Sequence, residues 1–160
     1  MKNTIKSQYW VHAAVIGSLY AGLTLLLAPI SYGVMQVRVS EALTVLAVFT
    51  PAAIPGLATG CFFANLLGPG GFGDAVIGSA ATLIGALGTY RLRNSLGRAL
   101  VPPVVANALI IGLMLRYVYS VPLSAVACIL WVGLGELIAC YGLGVPLGRV
   151  LQKRKGDIGL

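Results

Sequence analysis

The feature that most constrains the fold of this chain is a series of six apolar segments, separated by prolines and glycines, along nearly its whole length. They cover residues 9–28, 39–50, 53–68, 75–90, 102–119 and 123–148. Charged residues are only 9% of the 160 residues, whereas a soluble domain usually carries about 25%. A soluble fold with so few charges could not cover its surface with polar groups. The sequence therefore predicts an integral membrane protein.

The membrane-spanning elements are predicted to be helices, because backbone polar groups in hydrocarbon must be hydrogen-bonded within the protein. We expect one all-α transmembrane domain, residues 1–160, built from six helices, with the first apolar segment retained as a span. Twelve residues, the length of segment 39–50, extend only about 18 Å as an α-helix. The hydrocarbon core is about 30 Å thick. For residues 39–68, two short spans and one broken re-entrant hairpin are both compatible with the sequence.

The distribution of positive charge predicts the orientation. Nine of the eleven cations fall on one side of a six-span arrangement: Lys2, Lys6, Arg91, Arg93, Arg98, Arg149, Lys153, Arg154 and Lys155. Cytoplasmic loops are enriched in Lys and Arg, so we predict a multi-pass protein of the cell membrane with both termini in the cytoplasm. The net charge of +7 then reflects topology, and nucleic-acid binding is not expected.

Several polar or aromatic residues inside the apolar segments, together with Tyr32 in the first external loop, are candidates for binding a small molecule. Glu136 is the most expensive to insert, since a carboxylate at the centre of a span costs about 2.5–3.5 kcal/mol. Asn65 and Asn107 offer hydrogen-bond donors and acceptors, and Trp131 and Tyr32 offer rings that stack on a flat ligand. The alternatives are an internal ion pair or a hydrogen-bonded, protonated carboxyl for Glu136 and interhelical hydrogen bonds for the asparagines. Trp131 is predicted to lie too deep for the membrane interface, whereas interfacial positions are expected for Tyr9, Trp10, Tyr117 and Tyr119.

A second polar group lies in the stretch SYGVMQVRVSEAL. Gln36, Arg38 and Glu41 are predicted to lie in the first external loop and at the start of the second span. Pro29 and Gly33 give this loop defined bends, which suits a lid that closes over a bound substrate. The alternative for Arg38 and Glu41 is a surface ion pair worth less than about 1 kcal/mol.

The first span carries two stripes of small residues with a spacing of four, which permits another helix to approach closely. One stripe is Ala13, Gly17 and Ala21, and the other is Ala14, Ser18 and Gly22. They are predicted to dock a partner helix, or else to pack within this chain.

The sequence gives little support to an enzyme. The run Gly68-Pro69-Gly70-Gly71 lacks the Gly-Lys-Ser/Thr ending of a phosphate loop. There is neither a Gly-x-Ser-x-Gly nor a His-Glu-x-x-His motif, and His12 is the only histidine. The three cysteines have no metal-ligand spacing and are expected to be free packing residues. We therefore expect no catalysis, no metal and no cofactor, and any ATP-driven transport needs another chain.

Four blocks of the sequence resemble the QueT family: APISYG, QVRVSEALTVL, FTPAAIPGLATGCFFANLLG and GLGELIACYGLGVPLG. That family comprises substrate-binding S components of energy-coupling factor (ECF) transporters for queuosine precursors. The resemblance implies a six-helix bundle that binds a 7-deazaguanine, such as the aminomethyl form or queuine. It also implies docking on a transmembrane T subunit and two ATPase subunits in the lipid bilayer.

A carboxylate, Glu136 or Glu41, is expected to accept hydrogen bonds from the donors at the edge of such a ring. The rival interpretations are an S component for another vitamin, a membrane assembly subunit, and a stand-alone proton-coupled carrier.

Overall fold

A computed structural model describes residues 2–34 and 36–154, with side chains from residue 6 onward. This part of the chain is helical and contains no strand. The α-helices are α1 (Lys2–Leu26), α2 (Ala28–Ser31), α3 (Ala53–Leu67), α4 (Gly71–Arg91), α5 (Leu96–Ala99), α6 (Val101–Tyr117), α7 (Ala125–Leu137) and α8 (Val145–Lys153). A 3₁₀ helix, Val39–Val48, precedes α3, and a π-helical turn, Ile138–Gly144, joins α7 to α8.

Four helical stretches are long and apolar enough to cross a membrane: Lys6–Leu26, Gly71–Arg91, Leu96–Tyr117 and Ala125–Lys153. The remaining apolar elements, the 3₁₀ helix and α3, are shorter. The predicted all-helical membrane protein is thus confirmed, whereas six full spanning helices are not. Many large apolar side chains on these helices, such as Leu19, Phe63 and Leu130, are exposed on the outside of the bundle, as expected where lipid covers the protein.

The length of the second apolar segment was estimated above for an α-helix. In the structure residues 39–48 form a 3₁₀ helix instead. Ten residues at about 2.0 Å per residue extend about 20 Å. Pro51 has no backbone N–H and disfavours α-helical geometry at the residue before it, which explains why this segment does not continue into α3. A 3₁₀ run of this length is uncommon and often marks a functional region.

The positions of the contacts along the helices show in which direction each helix runs relative to its neighbours. Helices α1 and α3 pack in parallel, whereas α3 with α4, α4 with α6, and α6 with α7 pack in antiparallel pairs. The beginnings of α1 and α6 and the ends of α4 and α8 therefore lie at one end of the bundle, which we call the basic end. It carries Lys6, Arg91, Arg93, Arg98, Arg149, Lys153 and Arg154. Of the nine predicted cations, the side chain of Lys2 and all of Lys155 lie outside the described part.

One small-residue stripe of α1 packs inside the chain. A Cβ atom on Gly60 of α3 would lie 2.5 Å from the backbone oxygen of Gly17, and one on Gly56 would lie 2.6 Å from that of Ala13. Ala13 and Gly17 are accordingly buried against α3, while Ala21 is half-buried. The other stripe, Ala14, Ser18 and Gly22, is exposed. Of the two predicted uses of the stripes, packing within the chain therefore applies to Ala13 and Gly17.

The last long helix packs against the 3₁₀ helix through glycines. A Cβ atom on Gly135 would overlap the backbone oxygen of Gln36, and one on Gly144 would lie 3.2 Å from that of Ala42. This close approach places the polar stretch 36–44 in the centre of the bundle.

Candidate functional site

A cavity of about 190 Å³ lies at the end of the bundle opposite the basic end. It is enclosed by the loop before the 3₁₀ helix, the turn between α3 and α4, and the end of α6. Its polar lining comes from Tyr32, Gln36, Arg38, Asn65, Asp74 and Tyr119, and its apolar lining includes Ile111, Met114 and Leu115. Four of the predicted binding residues, namely Tyr32, Gln36, Arg38 and Asn65, thus meet at one cavity although 33 positions separate the first from the last in sequence.

Arg38 and Asn65 form a buried polar wall of this cavity, with 7% and 1% of their surface exposed. Both contact the thiol of Cys61: Nη1 of Arg38 is 3.7 Å and Nδ2 of Asn65 is 3.3 Å from Sγ. Nδ2 also donates to the backbone oxygen of Asp74 at 3.0 Å. Nε of Arg38 and Oδ1 of Asn65 have no hydrogen-bond partner in the part of the chain that the structure describes. The wall therefore holds one donor and one acceptor that none of the described residues uses.

Glu41 belongs to a different arrangement, one turn further along the chain. Its carboxylate is 1% exposed and accepts hydrogen bonds from Tyr20 and from Thr82 at 3.2 Å on Oε1, and from Thr44 at 3.0 Å on Oε2. Burial of a carboxylate is tolerated when several donors satisfy it. The alternative of a surface ion pair between Arg38 and Glu41 is wrong, because both side chains are buried and Glu41 is held by three hydroxyl groups.

The outer rim of the cavity is closed by exposed hydrogen bonds. Tyr119 donates to Oδ1 of Asp74 at 2.9 Å, and its hydroxyl is 3.2 Å from the backbone oxygen of Gly70. Partial burial and the bond to Asp74 raise the pKa of Tyr119 to about 12. Tyr32 donates to the backbone oxygen of Ala64 at 2.6 Å, and burial raises its pKa as well. The ring of Tyr32 also lies 5.5 Å from the guanidinium of Arg38, within the range of a cation–π contact.

Glu136 and Asn107 are buried beside each other between α6 and α7, and neither lines the cavity. The thiol of Cys140 lies 3.8 Å from Oε2 of Glu136. Nδ2 of Asn107 has no partner within the described residues. Trp131 is 37% exposed on the outside of α7, which is not a position for stacking on a ligand in this cavity. The binding roles of Glu136 and Asn107 stay predictions.

Some residues of the site were not identified from the sequence. Tyr119 was expected at the membrane interface only, yet it lines the cavity. The three donors to Glu41 were also missed, although one of them, Tyr20, lies four residues before Thr24 in the first apolar segment. Thr24 shares a hydrogen bond with Ser40 at 2.6 Å. This spacing of two hydroxyl groups on α1 was the available signal that this face meets a polar partner.

A bundle of apolar helices that encloses a small, partly polar cavity near one end has the architecture of a membrane transport protein. A comparison with known protein families agrees, because the family model described as QueT transporter matches residues 10–153 of the sequence. The chain therefore belongs to the QueT transporter family, which confirms the resemblance found in the sequence. Searches of curated proteins and of solved structures found no match.

Proposed function

We propose that this chain is the substrate-binding S component of an ECF-type transporter and that it captures a 7-deazaguanine precursor of queuosine for ATP-driven uptake. The observation that carries the proposal is the cavity, where Tyr32, Gln36, Arg38 and Asn65 converge. Ligand sites combine apolar walls with a few placed polar groups, and this cavity has both. The proposal involves no catalysis by this chain.

The size of the cavity supports a small ligand. A cavity of 150 Å³ accepts benzene, and drug-sized ligands occupy about 300–1,000 Å³. At about 190 Å³, the site suits a single small ring system in its present shape. The aminomethyl precursor is therefore a better candidate than queuine, whose additional ring requires the loop over residues 29–38 to move outwards. Admitting a larger ligand by this outward movement is the function that we propose for the predicted lid.

In the proposed topology the basic end faces the cytoplasm, because positive charge accumulates on that side. The cavity then opens towards the outside, where an uptake system meets its substrate. We also propose that the 3₁₀ helix and α3 complete a six-pass arrangement of one domain. Their lengths of 10 and 15 residues correspond to about 20 Å and 22 Å, so tilted neighbours or a locally thinner bilayer accommodate them.

The proposed partners are the T subunit and two ATPase subunits, because this chain has no phosphate loop of its own. A groove between α1 and α3 is lined by Ala14 and Ser18 on one side and by Pro55, Thr59 and Phe63 on the other. We propose that this groove receives a helix of the T subunit.

The groove is tested by adding bulk to its wall. Ser18→Leu is expected to abolish co-purification with the T subunit while ligand affinity stays within twofold, because Ser18 is exposed and remote from the cavity. Val15→Phe, at an exposed position of the same helix that does not line the groove, is the matched control. A Ser18→Leu protein that still assembles would place the docking surface elsewhere.

The substrate is tested by isothermal titration of the purified protein with 7-deazaguanines and with vitamins as comparison ligands. We expect binding of the aminomethyl deazaguanine and none of the vitamins. Binding of a vitamin instead would overturn the proposed substrate, and isolation without ATPase subunits from cells that contain them would overturn the proposed assembly.

A further inference from the structure

Two buried hydrogen-bonding atoms of the cavity wall, Nε of Arg38 and Oδ1 of Asn65, bear on which groups of a ligand the wall would bind. Hydrogen-bonding groups that are buried without a partner are rare in native proteins and call for an explanation. Here two groups without a partner among residues 2–34 and 36–154, Nε of Arg38 and Oδ1 of Asn65, belong to side chains of the same wall. A bound ligand that supplies one acceptor and one donor would satisfy both.

The orientation of the Asn65 amide is fixed by its neighbours. Its Nδ2 donates to the backbone oxygen of Asp74, so the oxygen is the end left for a ligand. The two side chains are also close together, because each lies within 4 Å of the Cys61 sulfur. The wall therefore contains a donor and an acceptor on two side chains that meet at the same sulfur atom.

The charge environment of Arg38 favours a neutral hydrogen-bonding edge of the ligand over an anionic one. The carboxyl groups of Glu41 and Glu136 lie close enough to stabilise the guanidinium cation electrostatically. A carboxylate or phosphate ligand would have to compete with these groups, whereas a neutral carbonyl oxygen only needs the unused N–H. The cavity lining also includes Asp74, which disfavours an anionic ligand further.

We propose that Arg38 and Asn65 together recognise a lactam edge, a ring carbonyl next to a ring N–H, with Nε of Arg38 donating to the carbonyl oxygen and Oδ1 of Asn65 accepting from the N–H. The inference rests on the proposed function and assigns recognition of the substrate's lactam to this pair, instead of to a carboxylate. The carboxylate of Glu41 is already saturated with hydroxyl donors. Both side chains line the cavity, so small side-chain rotations of the kind common on binding bring them to the ring.

The experiment is a cycle in which the ligand loses both groups of its lactam edge and the protein loses one of the two side chains that bind them. Isothermal titration compares the aminomethyl deazaguanine with its O-methylated form, in which the carbonyl has become an ether and the ring N–H is lost. Each ligand is titrated into the wild-type protein and into Asn65→Leu. Asn94→Leu, an exposed asparagine at the basic end, is the matched control.

We expect methylation to weaken binding to the wild-type protein and to Asn94→Leu at least tenfold. In Asn65→Leu the same methylation should weaken binding by a factor at least threefold smaller than in the wild-type protein, because the acceptor for the N–H is already absent and only the contact of Arg38 with the carbonyl is left to lose. A general loss of packing in Asn65→Leu would lower the affinities of both ligands by the same factor and leave their ratio unchanged, which would overturn the proposal. Equal binding of both ligands to the wild-type protein would overturn it too.

A second arm separates this inference from the proposed substrate. If no deazaguanine binds but another neutral lactam, such as uracil or hypoxanthine, binds with the same loss on methylation, the substrate is wrong and the lactam recognition stands. If none of these lactams binds, both are overturned. Should Asn65→Leu fail to fold, Arg38→Lys, which keeps the charge and removes Nε, is measured with the same two ligands and the same expected ratios.

Discussion

Two buried polar regions lie side by side in this protein, and they differ in how fully their hydrogen bonds are satisfied. Around Glu41 each carboxylate oxygen accepts at least one hydrogen bond, from Tyr20, Thr44 or Thr82. In the cavity wall, Nε of Arg38 and Oδ1 of Asn65 have no partner in the described chain. All these groups are shielded from water, so the two regions do not differ in burial. They differ in unused hydrogen-bonding capacity, and on this difference rests our proposal of a structural role for Glu41 and a binding role for the wall.

The structural role of Glu41 follows from what its removal would leave behind. Three hydroxyl groups from α1, α4 and the 3₁₀ helix meet at one carboxylate. A buried donor that loses its acceptor costs about 1–3 kcal/mol. Removal of Glu41 takes the acceptor from all three hydroxyl groups at once. The comparison therefore predicts large stability effects on one side and large binding effects on the other.

The largest expected effect is on stability in Glu41→Leu. This change should lower the free energy of unfolding by about 3 kcal/mol, measured by thermal unfolding in detergent. Thr82→Val, which removes one of the donors, should cost about 1 kcal/mol. A Glu41→Leu protein with unchanged stability and lost ligand binding would reverse the assignment and place Glu41 against the ligand.

The second-largest expected effect is a loss of ligand affinity in Arg38→Lys. Lysine keeps the positive charge near Glu41 and Glu136 but lacks the Nε donor and the planar guanidinium. We expect ligand affinity to fall at least tenfold, about 1.4 kcal/mol, with a smaller change in the unfolding midpoint than Glu41→Leu shows. Arg116→Lys, which alters an exposed arginine whose Nη1 donates to the backbone oxygen of Val121, should leave both quantities unchanged. Equal affinities of the two variants would contradict a binding role for Arg38.

The smallest effect concerns the rim, where the hydrogen bond of Tyr119 to Asp74 is exposed. The pKa of Tyr119 is raised from 10.0 to about 12, so its protonated form is favoured in the folded protein. The associated stabilisation is complete below about pH 10 and is lost as the pH rises towards 12.

A spectroscopic titration should show one tyrosine ionising near pH 12 that is missing in Tyr119→Phe. In Asp74→Asn its pKa should shift back towards the ordinary value. The affinity of Tyr119→Phe for ligand should fall less than threefold, because the bond lies in high dielectric. A transition near pH 12 whose amplitude is undiminished in Tyr119→Phe would show that it belongs to other residues.

The comparison also explains what the sequence could and could not predict. Helical membrane segments and the basic end follow from composition and charge, which act residue by residue. Four cavity residues were predicted because polar and aromatic side chains are conspicuous in and between the apolar segments of a chain with few charges. The different states of Glu41 and Arg38 depend on partners from α1, α3 and α4, which no spacing within residues 36–44 reveals.

The 3₁₀ helix and the buried half of the α1 stripes were not predictable for a related reason. Small residues permit close packing against any helix, so Gly17 and Ser18 look equivalent in sequence. Only the position of Gly60 on α3 decides that Gly17 is used inside the chain. Likewise, the apolar pattern of residues 39–48 fits an α-helix and a 3₁₀ helix, and packing against the glycine face of the last helix accompanies the tighter form.

The most direct measurement of the central claim is an experimental structure of the protein with the aminomethyl deazaguanine bound. The account predicts that the ring carbonyl and ring N–H lie within about 3.2 Å of Nε of Arg38 and Oδ1 of Asn65, respectively. It also predicts that Tyr20, Thr44 and Thr82 still donate to Glu41. A ligand whose polar edge is bound by the carboxylate of Glu41 or Glu136, with Arg38 and Asn65 still unpartnered, would contradict it.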